Sequence, residues 1–179
     1  MKVAGIDYSL TSPGICVYDG GIEWNYNNCS FFYFGNDIEL LKYYEYEYPE
    51  YKSESERYQK LADWALNAVN GCDIVFIEGY SYGSSGRVFN IAENGGVLKN
   101  VLWKNRIPYE VLAPKQVKKF ASGNGNASKK VMEDAFKEEV KLDLRDLFKQ
   151  PTSKDSPSSD IIDAYYICKM GVDRLAQQK

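Results

Sequence analysis

The sequence predicts an α/β fold, a five-stranded mixed sheet with its first three strands antiparallel and helices on its faces. Three observations carry this. Two short apolar runs, VAGID at 3–7 and IVFIE at 74–78, each end in a carboxylate, the mark of a buried strand with an acid at its tip. Turn signals punctuate the first 35 residues at hairpin spacing. From Ser53 onward, segments with helical apolar spacing alternate with strand-like runs.

Residues 2–8 read as the first strand, and Leu10 to Gly14 as a turn. Residues 15–19 make a second strand, closed by Gly20-Gly21, and the alternating, aromatic-rich stretch 22–35 a third. The Tyr/Glu-rich stretch 36–53 fits either an edge strand or an ordered loop. Ser53 and Glu56 form a capping-box pattern before Tyr58, Leu61, Ala62, Ala65, Leu66 and Val69, which predicts a helix near 54–70 ended by Gly71. Residues 73–78 are the fourth strand, 80–86 a loop, 88–104 a helix and 108–113 the fifth strand. Helices follow at 115–121 and 129–140, with a Gly/Asn turn between them. After a polar loop at 150–159, a last amphipathic helix runs from Asp160 to about Gln177. No linker or repeat divides the chain, so one domain is expected over 1–179.

Composition narrows the chemistry. The 179 residues contain no histidine. Hydrolytic chemistry must then use carboxylates and metal, not imidazole. Cys16, Cys29, Cys72 and Cys168 are scattered without a C-x-x-C pair, so a zinc site is not expected and the thiols read as small reduced hydrophobes. No apolar stretch is long enough to span a bilayer, and Asp7 interrupts the N-terminal apolar run, which argues against a signal peptide. The scattered reduced thiols read as those of a cytoplasmic protein. The net charge of −3 is unevenly spread: residues 99–130 carry eight bases against one acid, and residues 36–63 eight acids against four bases. A local basic face matters more for phosphate binding than the overall sum.

Asp7 and Glu78 each read singly as solvated strand-end acids. As a pair they sit at the same end of two central strands, at the crevice where α/β sheets place sites. Asp160 and Asp163 share one helix face. Helix capping explains them adequately, but not why Ile161-Ile162 presses this helix start onto the protein. Gathered together, four acids repel unless a cation lies between them, and carboxylates suit Mg²⁺ or Mn²⁺. Two such ions would suit in-line phosphoryl displacement.

These features resemble the RuvC family of Holliday junction resolvases, in a divergent, phage-like form. The resemblance rests on GIDYS at 5–9 followed by Pro13-Gly14, IEG at 77–79, PKQVKK at 114–119, GNGNASKK at 123–130 and DIIDA at 160–164, all in family order. It covers most of the chain and is weakest at 36–53. It implies an RNase H-like fold and Mg²⁺-dependent phosphodiester cleavage, with two ions per site that Mn²⁺ would replace. It also implies a homodimer acting on opposite arms of a four-way junction in a bacterial or phage-infected cell. Asp7, Glu78, Asp160 and Asp163 would be the metal ligands. Lys115, Lys118, Lys119, Lys129 and Lys130 match the basic DNA-contacting region, with Lys118 and Lys129 reaching phosphate near the metals. A solvated helix face explains Lys119 or Lys130 equally simply. The family's aromatic wedge falls between Tyr80 and Tyr82, either of which would stack on bases for about 1–3 kcal/mol or merely pack the loop rim. Gly95-Gly96, inside a helix that lies near the family's dimer interface, suggests close packing between or within subunits.

Gly123 to Asn126 reads as a turn, or as backbone N–H groups approaching phosphate; it is not a P-loop. The 36–53 stretch reads as a solvated surface element or a protein contact. Three other functions compete. An RNA–DNA hybrid nuclease would share the fold. A branched-DNA-binding protein without catalysis would gain nothing from acids that repel phosphate. A phosphotransferase of the actin/sugar-kinase type has a similar first loop, but needs two such domains around its nucleotide, so no nucleotide cofactor is expected.

Overall fold

The computed structural model describes residues 1–35, 42–80 and 88–178. A mixed sheet forms its centre, with strands β1 (Lys2–Asp7), β2 (Gly14–Asp19), β3 (Cys29–Phe34), β4 (Tyr43–Tyr46), β5 (Ile74–Glu78) and β6 (Tyr109–Leu112). Their spatial order is β4-β3-β2-β1-β5-β6. β1, β2 and β3 run antiparallel, as expected, whereas β4, β5 and β6 each lie parallel to their inner neighbour. Among the described residues the sheet therefore has six strands, not five. The extra one is β4, where Phe31 and Phe32 pair with Tyr43 and Tyr44. Tyr43 is buried and stacks on Phe31, so this part of the 36–53 stretch contributes to the core as well as to the surface.

The helices are α1 (Glu54–Ala68), α2 (Val88–Lys104), α3 (Pro114–Ser122), α4 (Lys129–Val140), α5 (Leu144–Leu147) and α6 (Ser158–Gln177). Ser53 caps α1, its Oγ accepting from Glu56 N at 3.2 Å, while Glu56 accepts from Lys52 N at 2.8 Å. α5 is a single turn that periodicity could not reveal; Asp143 caps it by accepting from Arg145 N and Asp146 N. Residues 22–28 do not extend β3. Tyr26–Asn28 form a 3₁₀ turn capped by Asn25. The aromatics there serve packing instead: Trp24 stacks on Tyr18 and donates to Tyr165 Oη at 2.9 Å.

Strand alternation divides the molecule into two cores. Ala4, Ile6, Ile15, Val75 and Ile77 face α1 and α2, against Trp64, Ala65, Leu98 and Leu102. Val3, Cys16, Phe31 and Phe76 face the other side, against Phe136, Ile161, Tyr165 and Cys168. Asp7 and Glu78 continue the Val3/Gly5 and Ile74/Phe76 rows, so alternation assigns both to the α6 side. The β1–β5 register runs Val3↔Ile74 to Ile6↔Ile77, which brings Asp7 and Glu78 next to each other at the strand ends.

α6 lies unusually close to the sheet. A Cβ added at Gly5 would come within 2.2 Å of Cys168 N, and one at Gly14 within 2.4 Å of the Asp160 carbonyl oxygen. The helix starts at Ser158, so Asp160 belongs to its first turn and is not its N-cap. Among the described residues, no helix is long and apolar enough to cross a membrane.

Candidate active site

β1 delivers Asp7, β5 delivers Glu78, and the first turns of α6 deliver Asp160 and Asp163. The four lie within electrostatic reach of one another. Asp7 is pushed well above the usual carboxylate range, first by burial and then by the charges of Asp163, Glu78 and Asp160. Asp163 is pushed up to about 7 by burial and by Glu78 and Asp160. Burial raises Glu78, and Lys118 opposes it. Burial also raises Asp160, opposed by the nearby Ser156 hydroxyl, the Lys129 charge and the Ser12 and Ser159 hydroxyls.

Such a group of partly and fully buried acids is stable in its ionised form only with positive charge among them. Lys118 from α3 acts on Glu78 and Asp163, and Lys129 from α4 acts on Asp7, Asp160 and Asp163. Among the described residues, two lysines against four acids leave the group short of cation. The all-oxygen donor set fits a hard divalent ion, and the four buried thiols are not part of it. As the side chains stand, no group of three or more Asp, Glu, Cys or His among the described residues forms a ready-made metal cage.

The other lysines differ. Lys115 and Lys119 are exposed on α3. Lys130 is also exposed and pairs with Asp134 at 2.7 Å across one turn of α4, the solvated-face reading. Lys129 lies 3.3 Å from Asp155. The Gly123–Asn126 segment is a turn: Gly123 N, Asn124 N and Asn126 N donate to Lys119 O, Ser122 Oγ and Asn124 Oδ1. These three N–H groups are engaged internally, which leaves them unable to cradle a phosphate.

Asp7 and Glu78 also line a cleft of about 370 Å³ that extends to Thr11, Tyr80, Gly95 and Lys99. Tyr80 is held on its rim. Its Oη donates to Ala92 O at 3.3 Å, Lys99 Nζ sits 4.8 Å from the ring centroid, and Gly95 makes room for the hydroxyl. Gly95 thus serves packing within the chain, while Gly96 faces open space. Tyr82 lies outside the described residues. Sequence reasoning counted Lys99 only as one charge in a basic segment and passed over Ser12 and Ser156, which hydrogen-bond to each other at 3.2 Å near the start of α6. Nothing in their local sequence marked them, because each reaches the site through tertiary contact.

No protein-family profile matches the chain. Its fold, however, matches solved resolvases over nearly the whole length. The Thermus thermophilus RuvC structure superposes with a TM-score of 0.64 at 19% identity, covering 99% of this chain and 97% of that one. The fowlpox virus resolvase, solved with substrate Holliday junction DNA, gives 0.57 at 16% identity, covering 98% and 99%. The yeast mitochondrial Holliday junction resolvase Ydc2 gives 0.56 at 16% identity, covering 98% and 79%. The fold is RNase H-like.

Proposed function

We propose that this chain is a divalent-metal-dependent endodeoxyribonuclease that resolves four-way DNA junctions, with Mg²⁺ as the working ion and Mn²⁺ as a substitute. The observation that supports it most is the convergence of Asp7, Glu78, Asp160 and Asp163 with Lys118 and Lys129 at one end of the sheet. The four carboxylates would hold two ions, whose chemistry is activation of water and stabilisation of the leaving oxygen in phosphodiester hydrolysis. Lys118 and Lys129 would place positive charge beside the phosphate as its charge grows. Lys115 and Lys119, exposed on the same helix as Lys118, would track the DNA backbone.

Resolution of a four-way junction needs paired cuts, and the proposed unit is a homodimer. Phe89 and Trp103, 83% and 72% exposed, are two heptads apart on α2, and the open Gly96 lies midway on the same face. A second α2 crossing at Gly96 would cover both rings. The resolvase neighbours, two of them solved with junction DNA, are consistent with this substrate. Incubation with four-way junction, flap, RNA–DNA hybrid and linear duplex in Mg²⁺, followed by nick mapping, tests the reading. Symmetric paired nicks in the junction are expected. Preferential cutting of the hybrid would replace it with the hybrid-nuclease reading.

A further inference from the structure

The turn after β1 is held by two side chains from elsewhere in the chain. Leu10, buried in that turn, offers its carbonyl oxygen to both of them. Arg57 Nη2, from α1, donates to Leu10 O at 2.8 Å. Tyr48 Oη, from the segment between β4 and α1, donates to the same oxygen. The two donors are also joined to each other, because Arg57 Nε donates to Tyr48 Oη at 2.8 Å. Three hydrogen bonds thus tie three separate stretches of chain at one point.

Both donors are themselves fixed. Arg57 is only 7% exposed, with Glu54 3.5 Å from its Nη1 and the Tyr51 ring centroid 4.9 Å from its guanidinium carbon. Tyr48 packs edge-on against Phe34 at the end of β3, ring centroids 5.2 Å apart, and Lys60 Nζ donates to Glu50 O at 2.7 Å. Residues 48–51 are therefore fastened to the sheet and to α1. A buried guanidinium costs free energy unless it is well partnered, and here its partners converge on one turn. That turn is a wall of the candidate active site. Ser9, Leu10 and Thr11 line the cleft of about 370 Å³ together with Asp7 and Glu78. Ser12 N donates to Ser9 Oγ at 3.0 Å, which closes the wall on itself, and the Leu10 carbonyl fixes it to α1.

We propose that Tyr48 and Arg57 are positioning residues for the carboxylate site: acting through the Leu10 carbonyl, they fix the wall against which a DNA strand lies beside Asp7 and Glu78. Neither side chain need touch the DNA. Part of the Tyr/Glu-rich stretch thereby serves the reaction as well as the core. A strand misplaced by a fraction of an ångström still binds but reacts more slowly, so a loosened wall lowers kcat and leaves binding intact. The proposal rests on the nuclease reading above.

The test uses the full chain with Y48F, which removes one hydroxyl, and R57K, which keeps the charge. Amide hydrogen exchange of residues 9–12 reports the wall. Single-turnover cleavage of a four-way junction in saturating Mg²⁺, with junction affinity in parallel, reports the consequence, and thermal melts check folding. Each variant should exchange residues 9–12 faster than wild type and cut about tenfold more slowly or worse, with junction affinity unchanged. Y48F/R57K should lose little more than the worse single variant, since both act through one carbonyl. Unchanged exchange at 9–12 in both variants would overturn the clamp whatever the cutting rate. A loss of cleavage that vanishes at a temperature where every variant is fully folded would assign the pair to stability alone. D7N separates the two readings. If D7N is inactive while Y48F and R57K cut like wild type, the positioning role is overturned and the nuclease reading stands. If wild type leaves the junction intact, or D7N cuts equally well, the nuclease reading falls and the proposal with it.

Discussion

At the scale of single residues, the acids are defined by what surrounds them. Asp7 sits among three other carboxylates, and Lys118 and Lys129 offset only part of that repulsion. Truncating either lysine should leave the fold intact and lower kcat on a cleavable junction by about a hundredfold, the scale of losing one donor aimed at developing charge. The acids also predict a pH dependence. An acid with a raised folded-state pKa binds its proton more tightly folded than unfolded. Its stabilising contribution is complete below the unfolded value, about 4, and is lost as pH rises through the folded one, about 7 for Asp163. Metal-free protein should therefore melt at lower temperature at pH 8 than at pH 5, and added Mg²⁺ should raise the melting temperature more at pH 8. A melting temperature that rises from pH 5 to pH 8 without metal would contradict this electrostatic description.

At the scale of elements, α6 decides whether the acids meet. Its close approach depends on Gly5 and Gly14, where a methyl group would strike helix backbone. G14A should cost roughly 1–3 kcal/mol by overpacking, read as a lower melting temperature, and should weaken Mn²⁺ binding by moving Asp160. Wild-type stability and binding in G14A would show that α6 tolerates displacement. The same elements explain what the sequence disclosed. β1 and β5 were legible because buried parallel strands are continuous apolar runs and their terminal acids break the pattern. α1 was legible through Ser53 and its capping pattern. β4 was legible only as one of two alternatives, edge strand or loop, because Tyr43 and Tyr44 lie on opposite faces of an edge strand amid glutamates, and pairing with β3 decides between them. Residues 22–28 misled because Trp24 and Tyr26 alternate like a strand while packing on Tyr165 from an irregular segment. Asp7, Glu78, Asp160 and Asp163 could be named from sequence, but the meeting of Ser12 with Ser156 beside the start of α6 could not, since the two are 144 residues apart.

At the scale of the whole molecule, one face of the sheet carries the acids and the lysines of α3 and α4, while the other carries α2 with its exposed rings. Replacing Phe89 and Trp103 by glutamate should yield a monomer by analytical ultracentrifugation that still binds Mn²⁺ but no longer makes paired cuts. A stable dimer in that variant would move the interface elsewhere. Site and assembly are thus separable, and the carboxylate site is the more basic claim. Its most direct test is cleavage of a four-way junction in Mg²⁺ by wild type, D7N and D163N, with junction binding measured in parallel. Wild type should produce paired nicks, and both variants should bind the junction yet leave it intact. Equal cutting by wild type and D7N would contradict the assignment of this carboxylate cluster as the nuclease centre.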